Sequence, residues 1–264
     1  MNFSKKFNKI LHQLAGYPLT AANPRHSDLY LVEYPKSGIT WLSVLLANAA
    51  LIRSGRPEIA HYANAHVFIP DINISRSVGQ PVYGYPSCRI IKSHSTWNPN
   101  YKFVIYLARH PVPVLKSFYR FLSELNQCDA SDFDAFVRSS RFGVPAWKRH
   151  VSSWLMSSNL QNRLHLVRYE DLLNDPLATL LDIDKNFGWG IGKDALSGSV
   201  ERSTKDIMRE SEEFYRIHDP RYNIEFVGGQ NKFMVHPDTE DFIRHECADL
   251  LALMKYSPND GTPI

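Results

Sequence analysis

Residues 29–52 read LYLVEYPKSGITWLSVLLANAALI, and this stretch decides the fold class of the chain. Its first five residues, 29–33, are mostly apolar and predict a buried strand. Residues 41–52 are rich in Leu and Ala and predict a helix that ends near Ser54 and Gly55. A glycine-containing loop joins the two elements. Because the first N–H groups of a helix lack partners within it and lie at the positive end of its dipole, this loop is a candidate phosphate-binding site.

Strands and helices alternate along the rest of the chain. Short apolar runs predict strands at residues 89–91, 102–108 and 164–168. Apolar residues at helical spacing, or a proline in the first turn, predict helices at residues 112–125, 145–157, 175–187, 202–210 and 238–254. This alternation predicts an α/β fold, a P-loop-like parallel sheet flanked by helices on both faces.

The length of the chain favours one domain. The chain has 264 residues, and large α/β folds often exceed roughly 200 residues without dividing. We therefore expect a single domain over residues 1–264. Within it we expect an N-terminal lead at 1–25, an irregular segment or lid at 55–88 and a loop region at 211–237.

Composition and charge exclude several classes of protein. The 30 Lys and Arg residues nearly balance the 27 Asp and Glu residues, which is atypical of a general nucleic-acid binder. The sequence has no apolar run of about 18 residues that would cross a membrane, and its first residues do not form a secretion signal. The three cysteines lie far apart and form no CxxC pair, which is typical of a reducing cytoplasm. We expect a cytoplasmic protein with no nucleic-acid partner and no stable membrane insertion.

The loop at residues 35–41 carries groups that bind phosphate. Gly38 permits a close backbone approach, and Lys36 adds a positive charge. Ser37 and Thr40 can donate hydroxyl protons. The order differs from the Walker pattern, because the lysine precedes the Ser-Gly pair and the earlier glycine is absent, which disfavours a Mg-dependent P-loop phosphotransferase. The structural alternative is an ordinary capped turn, since short glycine motifs recur by chance.

Two further groups of polar residues follow predicted strands. Arg109 comes after the strand at 102–108, and its planar fork suits phosphate. Ser117 lies eight residues later, inside the next predicted helix. Lys92 and His94 follow the strand at 89–91, and a histidine can accept a hydroxyl proton near neutral pH. The alternatives are a surface arginine, a helical serine and a structural histidine.

Together these segments resemble those of the cytosolic sulfotransferases that use 3′-phosphoadenosine 5′-phosphosulfate (PAPS). The matching segments are 34–41 (YPKSGITW), 92–94 (KSH), 106–111 (YLARHP), 117–121 (SFYRF), 147–154 (WKRHVSSW), 168–176 (RYEDLLNDP) and 203–208 (STKDIM). They occur in family order from about residue 29 to residue 210. The segment 34–41 and the pair of segments 106–111 and 117–121 are the most specific.

The resemblance implies transfer of a sulfuryl group from PAPS to a hydroxyl or amine of a small-molecule or saccharide acceptor, with release of adenosine 3′,5′-bisphosphate (PAP). It implies that His94 takes the acceptor proton, that Lys36 stabilises the leaving phosphate and that Lys92 neutralises the sulfuryl oxygens. It also implies a nucleotide site built from Lys36, Ser37, Gly38, Ile39, Thr40, Trp41, Arg109, Ser117, Tyr169, Ser203, Thr204, Met208, Val227, Gly228 and Gly229. No metal ion is required beside these cations and donors, and the sequence has no HExxH motif.

The acceptor itself stays open, and a phenol, an alcohol, a lipid and a saccharide are all compatible with the sequence. Candidate pocket residues are the aromatic or imidazole side chains Tyr85, Trp97, Trp147, His150 and Trp154. The alternative for each of them is a place in the core. A homodimer is also left open.

Departures from the family pattern keep a second alternative. Lys205 stands where the family usually has a phenylalanine, and a late Arg-Lys-Gly motif is missing, with only residues 226–229 similar to its end. These departures leave open a non-catalytic relative that binds a nucleotide. The presence of both Lys36 and His94 favours an enzyme, because binding alone needs no proton acceptor.

Overall fold

The computed structural model describes residues 3–79, 88–129, 132–156, 163–218, 233 and 235–257, with side chains from residue 8 onward. Four strands in this part of the chain form one parallel sheet in the order β2-β1-β3-β4. The strands are β1 (Leu29–Glu33), β2 (Ile90–Ser93), β3 (Phe103–Ala108) and β4 (Leu164–Arg168). Every strand expected from the sequence is present.

Eleven helices lie within the described residues. They are α1 (Phe3–Leu14), α2 (Ile39–Arg53), α3 (Ala65–Phe68), α4 (Pro111–Glu124), α5 (Phe133–Arg138), α6 (Val144–Leu155), α7 (Tyr169–Asn174), α8 (Pro176–Phe187), α9 (Lys193–Glu201), α10 (Lys205–His218) and α11 (Pro237–Leu253). In the described part of the chain, none of them is long and apolar enough to span a membrane.

Helices cover both faces of the sheet, as the alternation of elements predicts. Leu29 and Leu31 of β1 point to one face, where α2, α8 and α9 pack. Tyr30 and Val32 point to the other face, where α4, α6 and α11 lie together and the end of α1 contributes Leu14. Both sets of residues are buried because a parallel sheet needs cover on each side. The expected fold class is therefore confirmed.

The structure differs from the sequence expectation in one long helix. Residues 211–218 were expected within a loop, but α10 continues to His218. Its sequence KDIMRESEEFYRIH contains no glycine or proline, so nothing in it interrupts helical hydrogen bonding before Pro220. The irregular segment expected at 55–88 contains the short helix α3, and its residues 80–87 lie outside the described residues.

Candidate active site

The strands end at one edge of the sheet, and the residues expected in the site follow those ends. Parallel pairing places Val32 of β1 opposite Ser93 of β2, with β3 on the other side of β1. The loop 34–41 therefore lies between His94, which follows β2, and Arg109, which follows β3. This edge is where open parallel sheets bind ligands.

The loop after β1 has a tight backbone, because two of its residues adopt positive φ. The angle is 77° at Lys36 and 110° at Gly38, and α2 begins directly after that glycine. The Ser37 hydroxyl donates to the carbonyl oxygen of Tyr34 at 2.9 Å, which fixes the turn. Thr40 lies half-buried in the first turn of α2.

The space beside Gly38 is filled by an aromatic ring. A Cβ atom at Gly38 would lie 2.5 Å from Cδ2 of Tyr169, which is far closer than real Cβ contacts. The sequence predicted that glycine here admits a ligand, whereas in the structure it admits the ring of the first residue of α7. Trp41 lies next to the same ring, at 6.1 Å between centroids, and its Nε1 donates to the carbonyl oxygen of Ser203 at 2.7 Å.

A buried carboxylate lies beneath the loop. Glu33 is 2% exposed, and its Oε2 accepts the amide of Ile39, the first residue of α2, at 2.8 Å. The backbone of Lys36 also donates to this carboxylate. Burial raises the pKa of Glu33 to about 7, against the opposing positive charges of Lys92 and Lys36. Amides that the sequence assigned to phosphate thus hold a protein carboxylate in this structure.

The side-chain amine of Lys36 has a strongly lowered pKa. Burial, with a smaller contribution from Arg120, lowers the pKa of Lys36 to about 7, against the carboxylates of Glu33 and Glu212. Its Nζ lies 4.9 Å from the centre of the Phe121 ring. A phosphate beside this nitrogen would favour its charged form, because an opposite charge stabilises an ion.

Arg109 reaches across the loop from the end of β3. Its Nη1 donates to the carbonyl oxygen of Lys36 at 3.2 Å, and its guanidinium carbon lies 4.3 Å from the centre of the Tyr169 ring. Its Nε is buried and has no hydrogen-bond partner among the described residues. A buried donor without a partner is costly, and an anionic oxygen would satisfy it. Ser117 lies half-buried in the second turn of α4.

His94 and Lys92 lie next to acidic side chains. His94 is 5% exposed, and its Nδ1 is 3.8 Å from Oε1 of Glu33. The Nζ of Lys92 is 3.7 Å from Oδ2 of Asp71. The structure therefore brings Lys36, Lys92 and His94 around one buried carboxylate, Glu33.

The backbone of His94 is held from behind by two buried side chains. Its amide donates to Oε1 of Gln13, in α1, at 3.0 Å. Its carbonyl oxygen is 3.2 Å from Nε2 of His150, and Nδ1 of that histidine is 3.0 Å from the hydroxyl of Tyr106. Because a carbonyl oxygen only accepts, Nε2 of His150 carries the proton and Nδ1 accepts from the tyrosine. Burial lowers the pKa of His150 to about 3, so this imidazole is neutral.

The residues expected to line the acceptor pocket divide into three groups. Trp147, His150 and Trp154 are fully buried, and Nε1 of Trp154 donates to the carbonyl oxygen of Ser95 at 2.9 Å. Trp97 is half-buried beside them. Tyr85 lies outside the described residues. The first three form the packed core behind the segment of His94, and their contact with an acceptor stays a prediction.

Three more residues assigned to the nucleotide lie at the start of α10. Ser203 is buried, and its hydroxyl accepts from Nδ2 of Asn48 at 3.0 Å. The Thr204 hydroxyl accepts the amide of Ile207 at 3.3 Å and so caps the helix. Met208 is buried in a small cluster beside Trp41. Val227, Gly228 and Gly229 lie outside the described residues.

Two residues of the site, Glu33 and Gln13, are not among those expected from the sequence. A signal for Glu33 was present, because a carboxylate ends a strand that is otherwise apolar, directly before the loop. No local signal marks Gln13, since its role depends on where α1 packs. Among the described residues, no group of three or more His, Cys, Asp or Glu side chains is arranged to hold a metal ion.

Comparison with known proteins agrees with this geometry. A family model described as a sulfotransferase domain matches residues 26–227. Sulfotransferase 1C2 of Oryctolagus cuniculus is 25% identical over 240 residues, which cover 80% of this chain and 79% of that protein. Sulfotransferase 1A1 of Bos taurus is 26% identical over 211 residues, which cover 74% and 70%. Among solved structures, mouse sulfotransferase SULT7A1 complexed with PAP has a TM-score of 0.60 at 16% identity, over 93% of this chain and 90% of that one.

Proposed function

The chain belongs to the sulfotransferase family and is a PAPS-dependent enzyme, and from that premise we propose how it acts. It moves the sulfuryl group of PAPS to a hydroxyl or amine of a small-molecule or saccharide acceptor and releases PAP. His94 is the general base. Membership of this family decides against the Mg-dependent phosphotransferase that the loop alone left open.

The observation that carries the proposal is the meeting of three groups at one sheet edge. Lys36 lies in the loop after β1, His94 follows β2 and Arg109 follows β3. The donor brings negative charge at its 5′ phosphosulfate and at its 3′ phosphate. The Nε of Arg109, which has no hydrogen-bond partner among the residues that the structure describes, suits the 3′ phosphate, since a planar fork binds phosphate oxygens in pairs. Lys36 suits the 5′ end, because its side chain adds a positive charge in the loop before α2.

The chemical step needs a base and a place for developing charge. The acceptor oxygen bonds to sulfur as its proton passes to His94, and the bond from sulfur to the bridging oxygen breaks. The electron pair of that bond stays on the 5′ phosphate of PAP, where Lys36 neutralises it. Lys92 offsets the charge of the sulfuryl oxygens. Trp41 and Tyr169, which lie edge to face, line the nucleotide side of the loop.

The proposal also assigns the polar contacts of the nucleotide and the cellular compartment of the enzyme. Ser37, Thr40, Ser117 and Thr204 supply polar contacts to the nucleotide. The enzyme works in the cytoplasm, which the three free cysteines Cys88, Cys128 and Cys247 support because none forms a disulfide.

The test of the function is transfer of labelled sulfate. Purified protein is incubated with PAPS labelled with sulfur-35 and with a panel of phenols, primary alcohols, sterols, amines and oligosaccharides. We expect label in at least one acceptor, together with an equal amount of PAP, in the presence of a metal chelator. A label that reaches no acceptor, with PAPS recovered intact, would reject the proposed activity. The His94→Ala protein is the blank for transfer that does not involve the site.

A further inference from the structure

The site contains an acidic residue, Glu33, that the transfer step above does not use. Its two carboxylate oxygens have different partners. Oε2 accepts the amide of Ile39 at 2.8 Å, and Oε1 is 3.8 Å from Nδ1 of His94. The parallel register explains this placement, because Val32 and Ser93 are opposite one another and each is followed by one of these two residues. Glu33 and His94 are 2% and 5% exposed, so both side chains are shielded from bulk solvent.

We propose that Glu33 is the positioning residue of His94, holding its imidazole with Nδ1 protonated and stabilising the imidazolium that forms when the acceptor loses its proton. This inference rests on the proposed function, since it concerns the base of that reaction. When Glu33 is ionised its oxygens only accept, so the nitrogen that faces it across 3.8 Å, Nδ1 of His94, is the one that carries the proton. Nε2 is then the nitrogen with a free electron pair, and it is the atom that takes the acceptor proton.

The proton is accounted for at each stage of the step. It leaves the acceptor oxygen as that oxygen bonds to sulfur, and it joins Nε2 of His94. The imidazolium then carries one proton on each nitrogen and lies beside the carboxylate of Glu33 at ion-pair distance. After PAP and the sulfated product leave, the proton on Nε2 passes to water.

Other charged groups surround Glu33 and His94, and they affect the ionisation of the Glu33 carboxyl group. The groups that act on Glu33 are Lys36 from the loop, Lys92 from β2 and Tyr106 from β3. The two lysines favour the ionised carboxylate, whereas burial disfavours it. The resulting pKa of Glu33 is about 7, so the carboxyl group is mostly ionised above that pH. Asp71 faces Lys92, and the neutral His150 faces only the backbone of His94.

The first test replaces Glu33 by glutamine, which keeps the size of the side chain and an oxygen for the amide of Ile39. We expect kcat to fall about 10- to 100-fold, because the imidazolium loses its counter-charge. We expect the acid limb of the kcat–pH profile to move to lower pH, because His94 then protonates less readily. The affinity for PAP should not fall, since the substitution removes a negative charge near an anionic ligand. Glu246→Gln, in α11, is the matched control. It should leave kcat, the acid limb of the kcat–pH profile and the affinity for PAP unchanged.

The Glu33→Gln protein should fold, and it should lack the contribution that ionisation of Glu33 makes to the pH dependence of stability. The pKa of Glu33 is raised above its ordinary 4.5, so ionising this carboxyl destabilises the native state as pH rises through about 7. Glutamine has no such ionisation. A melting temperature of Glu33→Gln at or above that of the wild type at alkaline pH shows that a loss of kcat is not a loss of fold.

The second test needs no activity. Long-range proton–nitrogen NMR spectra of the protein at alkaline pH report which nitrogen of His94 carries the proton, with His94→Ala supplying the assignment. We expect Nδ1–H in the wild type and a mixture of tautomers in Glu33→Gln. An Nε2–H tautomer in the wild type would overturn the inference even if sulfate transfer is observed. Nδ1–H in a protein that transfers no sulfate would instead leave the inference standing and reject the proposed function.

The kinetic result also has outcomes that reject the inference. A Glu33→Gln enzyme with the kcat and the acid limb of the wild type would show that the carboxylate does not act on His94. A loss of kcat that is matched by an equal loss of PAP affinity, with the acid limb unmoved, would assign Glu33 to support of the loop alone.

Discussion

His94→Ala lowers kcat by about 10²- to 10⁴-fold in the expected result, because general-base catalysis contributes that much to proton removal. The affinity for PAP stays within about two-fold of the wild type, since the proposal assigns His94 to the acceptor proton and not to the nucleotide. The substitution leaves the segment in place, because Gln13 and His150 hold the backbone of His94 and not its side chain. Steady-state kinetics with the best acceptor, and calorimetric titration with PAP, measure the two quantities.

His245→Ala is the matched control for this change. His245 is exposed on α11, so its loss should alter neither kcat nor PAP affinity. Near-normal turnover in His94→Ala would remove His94 from the role of base. The residual rate should also lose the acid limb of its pH profile, because the titrating imidazole is gone.

Arg109→Ala weakens binding of PAP by about 10- to 100-fold in the second expected result, the range for losing a charge-assisted, paired hydrogen bond. The loss for 5′-AMP, which lacks the 3′ phosphate, should be much smaller. The reason is the Nε of Arg109, which lacks a partner within the described part of the chain and which a 3′ phosphate oxygen would satisfy. Arg109→Lys should recover only part of the affinity, because an ammonium keeps the charge but not the planar fork.

Titration of both nucleotides into wild type, Arg109→Ala and Arg138→Ala separates this contact from general electrostatics. Arg138 is exposed on α5 and pairs with Asp134, so its removal should affect neither nucleotide. Equal losses for PAP and 5′-AMP in Arg109→Ala would refute the assignment of this side chain to the 3′ phosphate.

Local sequence predicted the sheet well because its strands are short apolar runs. The run at 29–33 and the glycine loop after it lie as expected, and the helix that follows is longer by a few residues than the expected 41–52. Helix α9 was not foreseen, since its sequence KDALSGSVE mixes serine and glycine with few apolar positions. The end of α10 was misplaced because helix ends need a stop signal, and the first one there is Pro220.

The sequence indicated the site residues that come soon after a strand. It did not indicate the residues that reach the site from distant parts of the chain. Lys36, His94 and Arg109 are each found directly after a strand, so parallel pairing was enough to bring them together. Gln13 reaches the amide of His94 from a helix about 80 residues earlier in the chain, which no local pattern indicates.

The same limit applies to the helix that supplies His150. Its apolar spacing in α6 predicts one buried face, but it does not say whether that face lines a pocket or packs in the core. The contacts of His150 with Tyr106 and with the carbonyl oxygen of His94 show how it packs in the described part of the chain, and its contact with an acceptor stays a prediction. This histidine supports the segment of His94 from behind.

The most direct test of a PAPS site in this protein is the change in melting temperature on adding PAP, compared with ATP plus Mg²⁺ and with 5′-AMP. A ligand that binds only the native state raises its stability by RT ln(1 + [L]/Kd), so the order of the shifts reports the order of affinities. We expect a clear rise with PAP that exceeds the rise with either other nucleotide at equal concentration. A rise with Mg²⁺-ATP but none with PAP, or no rise with any of the three, would contradict it.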